Sequence, residues 1–213
     1  PCLVGSEMCI RDSCTSVIAV VVLTLGGTIG WSQYEDYTNE KAVAAANTYD
    51  SLLQGRESGE SAEEMALISA GLRETHDGGA FAAFASLQVA AAAVEAGDLV
   101  LARNELESVM ATIELDSTLG QLVQLRLARV MAASGDEATA VAILEQGSSS
   151  FPASYAQALG DIHLAAGRES EALMAYQSAQ TESLALGGQL GLVDLKVSGL
   201  SLRDAEDSIE DSQ

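Results

Sequence analysis

Three stretches of this chain can be laid over one another on a single glycine, and that repetition constrains the fold more than any other feature. "LQVAAAAVEAGDLVLARNEL", "LRLARVMAASGDEATAVAIL" and "QALGDIHLAAGRESEALMAY" carry a turn glycine at Gly97, Gly135 and Gly167. Five residues on, each has an alanine (Ala102, Ala140, Ala172), and nine residues on a large side chain (Leu106, Leu144, Tyr176). A helix that ends on glycine can close through left-handed backbone, and Asp98 or Asp136 stands where it would cap the helix that follows. The alanines predict close packing inside each hairpin. Leu106, Leu144 and Tyr176 are expected to fill the layer between neighbouring hairpins.

The turn glycines lie 38 and 32 residues apart, on either side of the roughly 34-residue tetratricopeptide unit. Pro152 falls where that motif often starts a new repeat. Composition agrees: the chain is rich in Ala, has only two prolines and few aromatics, and Ala, Leu, Glu and Gln lose little freedom in a helix. The expected fold class is all-α, with a single N-terminal transmembrane helix followed by a tetratricopeptide-like helical-hairpin solenoid.

The membrane helix is read from "VIAVVVLTLGGTIGW". From Cys14 to Tyr34 no residue is charged, and a helix of that length, at about 1.5 Å per residue, spans about 31 Å, the thickness of a bilayer's hydrocarbon core. Val17, Ile18, Val20, Val21, Val22, Leu23, Leu25 and Ile29 together contribute roughly −2.4 to −4.8 kcal/mol towards insertion, partly offset by Thr24, Thr28 and three glycines. Trp31 and Tyr34 stand where the far interface should lie. No small-residue cleavage site follows Ile29, which favours a retained span over a cleaved signal. Gly26 and Gly30 form a G-x-x-x-G that could let two such helices approach, although small residues are common in any span.

The expected organisation is residues 1–13 as a non-native, adaptor-derived segment, 14–34 as the span, and 35–61 as an outward helix and loop. A repeat domain over 62–200 and an acidic disordered tail over 201–213 complete it. Val43, Ala46, Tyr49, Leu52 and Leu53 recur at helical spacing in the outward helix, and "GRESGES" at 55–61 reads as its loop. "PCLVGSEMCIRDS" has neither periodicity nor an initiator Met, so the native N-terminus is expected to be missing. A formal charge of −21 with ten scattered basic residues argues against a nucleic-acid ligand, which would need clustered Lys and Arg.

No catalytic, cofactor or metal residue is expected, nor a small-molecule substrate. Cys2, Cys9 and Cys14 all precede the apolar run, leaving the body without a thiolate site. His76 and His163 have no second ligand nearby in sequence, and Asp161 lies two residues from His163, on a different helix face. Phosphate-binding loops, nucleophile elbows and zinc-protease motifs do not occur. An enzyme with a carboxylate pair in a groove would have only the abundance of Asp and Glu in its favour.

With that order established, "GGTIGW", "FASLQVA" at 84–90 and "LRLARVM" at 125–131 carry a resemblance to the YfgM family, covering about residues 22 to 200. The resemblance implies an ancillary subunit of the SecYEG translocon: a bacterial inner-membrane, single-pass protein with a periplasmic tetratricopeptide-like C-terminal domain. It further implies a membrane-anchored periplasmic chaperone of prolyl-isomerase type as partner, and a scaffold or chaperone-like role. The residues that would bind partners remain unassigned. The alternative is a soluble periplasmic helical-repeat adaptor released by signal cleavage.

Overall fold

The computed structural model describes residues 6–75, 79–188 and 191–210, with side chains at 20, 24 and 25 and, within those ranges, from 27 to 203. Among the described residues there are helices and turns but no strand. The helices are α1 (Ser6–Ser58), α2 (Ala62–Thr75), α3 (Ala80–Ala96), α4 (Leu99–Met110) and α5 (Thr118–Ala133). They continue with α6 (Glu137–Leu144), α7 (Pro152–Ala165), α8 (Glu169–Ala185) and α9 (Gly191–Glu210). The chain divides into two units, Pro1–Thr48 and Tyr49–Gln213.

In the first unit, every described side chain from 20 to 44 is exposed. Val20, Leu25, Ile29, Trp31 and Tyr34 are among them. The Thr24 hydroxyl donates to the Val20 carbonyl (2.8 Å) and that of Thr28 to Leu25 (3.0 Å), so each polar group is returned to the helix that carries it. Among the described residues no helix is long and apolar enough to cross a membrane. Residues 14–19, 21–23 and 26 of the expected span lie outside the described side chains.

The second unit is built from turns that close alike. Gly97, Gly135 and Gly167 adopt φ of 82°, 88° and 75°. In each turn the glycine N–H reaches back three residues and the next N–H five, as Asp98 N–H does to the Ala93 carbonyl at 2.8 Å and Asp136 to Met131 at 2.9 Å. This double bond pattern satisfies carbonyls that a helix end leaves open, and the left-handed φ suits glycine. Ala102, Ala140 and Ala172 are completely buried, as the repeat predicts. Consecutive helices pack on one another from α2 to α9, and α5 also touches α7. Pro152 opens α7, where its missing N–H costs nothing.

Several local expectations are corrected. Asp98 caps α4 by accepting from Leu101 N–H at 2.9 Å, but Asp136 makes no cap bond to α6. Its carboxylate lies instead 3.8 Å from Arg103 of α4. Leu106 and Leu144 share one core with residues of α2 through α7, whereas Tyr176 belongs to a second, with Ala172, Ala179, Val193 and Leu200. Tyr176 lies close against Gly160 of its own hairpin, where a Cβ would come within 2.6 Å of its ring. The loop expected at 55–61 is shorter. Helix α1 runs through Ser58 and closes at Gly59, and α2 opens with a reciprocal cap in which Ser61 N–H donates to Glu64 Oε2 (3.1 Å) and Glu64 N–H to Ser61 Oγ (3.3 Å).

The "GG" after α8 is a further turn of the same kind, with Gly188 N–H on the Ser183 carbonyl at 2.9 Å. Beyond it, α9 buries Val193 and Leu200. Residues 201–210 of the expected tail continue α9, and Arg203 pairs with Glu169 of α8 at 2.9 Å. Residues 211–213 lie outside the described residues.

Candidate protein-interaction surface

The polar clusters inside the repeat unit are bonded in ways that hold helices together. Arg73 of α2 donates through Nη1 to Ser69 Oγ (3.0 Å), Ser86 Oγ (2.7 Å) and Glu105 Oε2 (2.6 Å), tying α2, α3 and α4. The Gln121 side chain of α5 donates to the Asp116 carbonyl (2.9 Å) and accepts from Ser148 Oγ (2.6 Å) and Ser150 N–H (2.9 Å), fixing the loop before α7. Tyr155 donates to the Gln121 carbonyl at 2.7 Å, and burial pushes its phenol pKa up. Tyr176 donates to Asp161 at 2.7 Å, and Lys196 of α9 pairs with the same carboxylate. Burial first, then that hydrogen bond, hold the Tyr176 phenol well above the ordinary tyrosine range, so it stays protonated at neutral pH and is a poor nucleophile or base.

The structure describes one of the two histidines. His76 lies outside the described residues. His163 Nδ1 accepts from Arg168 Nε at 3.1 Å, and Arg168 also pairs with Glu137 at the start of α6. Asp161 turns to Tyr176 and Lys196 rather than to His163. Among the described residues no group of three or more His, Cys, Asp or Glu side chains could hold a metal ion.

One apolar groove, of about 290 Å³, lies open between α3 and α5. It exists because Ala90, Ala91 and Ala133 are too small to fill the space between those helices. Val94 of α3, Leu99 and Leu106 of α4, and Val130 of α5 add apolar lining, and Glu95, Arg126 and Arg129 line it as well. Glu95 is already engaged by Arg56 Nη2 at 2.7 Å. Arg126 and Arg129 are exposed, and among the described residues neither has an ion-pair or hydrogen-bond partner. Arg56, Arg73, Arg103, Arg168, Lys196 and Arg203, by contrast, all pair with carboxylates.

Arg126 and Arg129 are not among the residues expected from the sequence to carry function. The pair's signal was present: two arginines three apart in "LRLAR" share a helix face. A whole-chain charge of −21 hid it, because an average says nothing of which guanidiniums are already neutralised.

Comparison with known proteins agrees with the fold. The tetratricopeptide repeat-like domain family matches residues 11–201. A protein of Haemophilus influenzae named ancillary SecYEG translocon subunit is 27% identical over 186 residues, covering 87% of this chain and 90% of the relative. One of the same name from Aggregatibacter actinomycetemcomitans is 29% identical over 175 residues, covering 82% and 84%. No solved structure matches significantly. The chain belongs to the tetratricopeptide repeat-like domain family and to the YfgM family.

Proposed function

We propose that this chain is a membrane-anchored accessory subunit of a bacterial Sec translocon, acting by protein binding and not by catalysis. In this reading residues 14–34 cross the inner membrane once, and the repeat domain over 62–200 works in the periplasm as a scaffold or chaperone-like subunit. Its partners are the SecYEG channel and a membrane-anchored chaperone of prolyl-isomerase type. The observation that carries the proposal is the combination, in one family, of a helical-repeat body with relatives named as ancillary SecYEG subunits over most of their length. Uncharged sequence from Cys14 to Tyr34, with Thr24 and Thr28 bonded back to helix carbonyls, supports a lipid-facing helix.

Tethering raises the effective concentration of a weak binder beside its partner, so modest contacts suffice at the channel and few clients are held once they diffuse away. The test is recovery of SecYEG and the chaperone with two forms expressed in the same bacterium. One is the full chain; the other carries a cleavable secretion signal in place of residues 14–34. The full chain should recover both partners and the released form little of either. Equal recovery would remove the anchor from the account.

A further inference from the structure

We infer that the groove between α3 and α5 receives an acidic segment of a partner protein, one that inserts an apolar side chain between the helices and lays carboxylates on Arg126 and Arg129. The inference rests on the reading of this unit as a protein-binding scaffold and names the chemistry of what it binds. Arg126 and Arg129 are three residues apart on one exposed face of α5, which sets them side by side. A guanidinium offers a planar fork of donors that matches a carboxylate, so two neighbours can hold two acidic side chains or one in a bidentate grip.

Charge decides which partner is selected. A basic segment would be attracted to many places on a chain of net charge −21, and at this groove it would meet two like charges. An acidic segment is disfavoured elsewhere and favoured here, because beyond about 8–10 Å the rest of the protein's charge is largely screened. Attraction at one site and repulsion around it give specificity more than affinity. Glu95, the acid at the groove, is neutralised by Arg56 and subtracts little. The cavity of about 290 Å³ lies at the small end of ligand pockets, about 300–1,000 Å³. That is room for one or two aliphatic side chains against Val94, Leu99, Leu106 and Val130.

The test is fluorescence anisotropy of a labelled peptide, SEDLLEDS, titrated with the full chain in neutral-lipid nanodiscs. SQNLLQNS and SEDSSEDS serve as comparisons lacking the charge and the apolar anchor. The acidic apolar peptide should bind more tightly than either, and salt should weaken it. Arg126→Gln/Arg129→Gln and, separately, Val94→Ser should each weaken it about tenfold, equal to 1.4 kcal/mol, while Arg103→Gln leaves it unchanged. No binding by about 1 mM protein, equal binding of the neutral peptide, or full affinity in the Gln pair would overturn the inference. So would a tenfold gain on removing residues 204–213, which would make the chain's own acidic end the occupant. The assay contains no translocon, so its failure leaves the SecYEG recovery experiment standing, and the reverse also holds.

Discussion

Replacing Gly160 with alanine should destabilise the repeat unit, whereas the same change at Gly71 should stabilise it. Both glycines lie inside helices, α7 and α2, where alanine is preferred by about 1 kcal/mol. At Gly71 a Cβ would meet nothing within 4 Å, so the preference acts alone and the gain is about 0.5–1 kcal/mol. At Gly160 the same atom would lie 2.6 Å from Cδ1 and Cε1 of Tyr176 and 3.0 Å from Cγ. Carbon atoms settle at about 3.5–4.0 Å, so the ring would have to retreat by about 1 Å. It is fully buried among Ala172, Ala179, Val193 and Leu200, and its hydroxyl is held by Asp161 at 2.7 Å. Overpacking of this kind costs about 1–3 kcal/mol. Set against the helix preference, the net loss is up to about 2 kcal/mol. Equilibrium urea unfolding of the full chain in mild detergent, followed by far-ultraviolet circular dichroism, reads both signs. Combining Gly160→Ala with Tyr176→Leu should cost less than the sum of the two changes by about 1 kcal/mol. Stabilisation by both alanines, or strict additivity in the double variant, would refute the packing argument.

Glu105→Ala should cost about 2–3 kcal/mol by the same assay, because it strands Arg73 and Ser69 without their acceptor; this is below the usual range for a buried pair, since the Arg73 side chain is 28% exposed against 6% for Glu105. Replacing Arg73 and Glu105 together by leucine should recover part of that loss. Asp98→Ala should lose about 1 kcal/mol with its cap to Leu101, and Asp136→Ala less than half as much, although the repeat places both alike. Stability should fall as pH rises above about 10. There the unfolded chain releases the phenol protons of Tyr155 and Tyr176, which the folded chain keeps because both pKa values are raised. Tyr176→Phe should flatten that decline in urea midpoints measured across the alkaline range.

The hairpin turns were legible because the requirement is local: a glycine at the left-handed position, followed by backbone bonds made within six residues. Ala102, Ala140 and Ala172 were legible for a related reason, since a buried face recurs with the helix period. The asymmetry between Asp98 and Asp136 was not, because Asp136 approaches Arg103, a residue 33 positions away on another helix. "GRESGES" reads as loop by its polarity, yet Arg56 bonds Gln88 and Glu95 of α3 and so gives the last turn of α1 a tertiary anchor. The acidic residues after 200 read as a tail, yet Leu200 and Arg203 fasten α9 to the body and the helix continues. The candidate groove depended on a subtraction that only coordinates allow: which arginines remain once the others have found carboxylates.

The central claim is the proposed anchoring of the repeat unit at the membrane by the uncharged residues 14–34. Alkaline carbonate extraction of membranes from cells expressing the full chain tests it most directly. The account predicts that the chain stays in the pellet with integral membrane proteins. Recovery in the supernatant, either whole or as a fragment starting after Trp31, would contradict it.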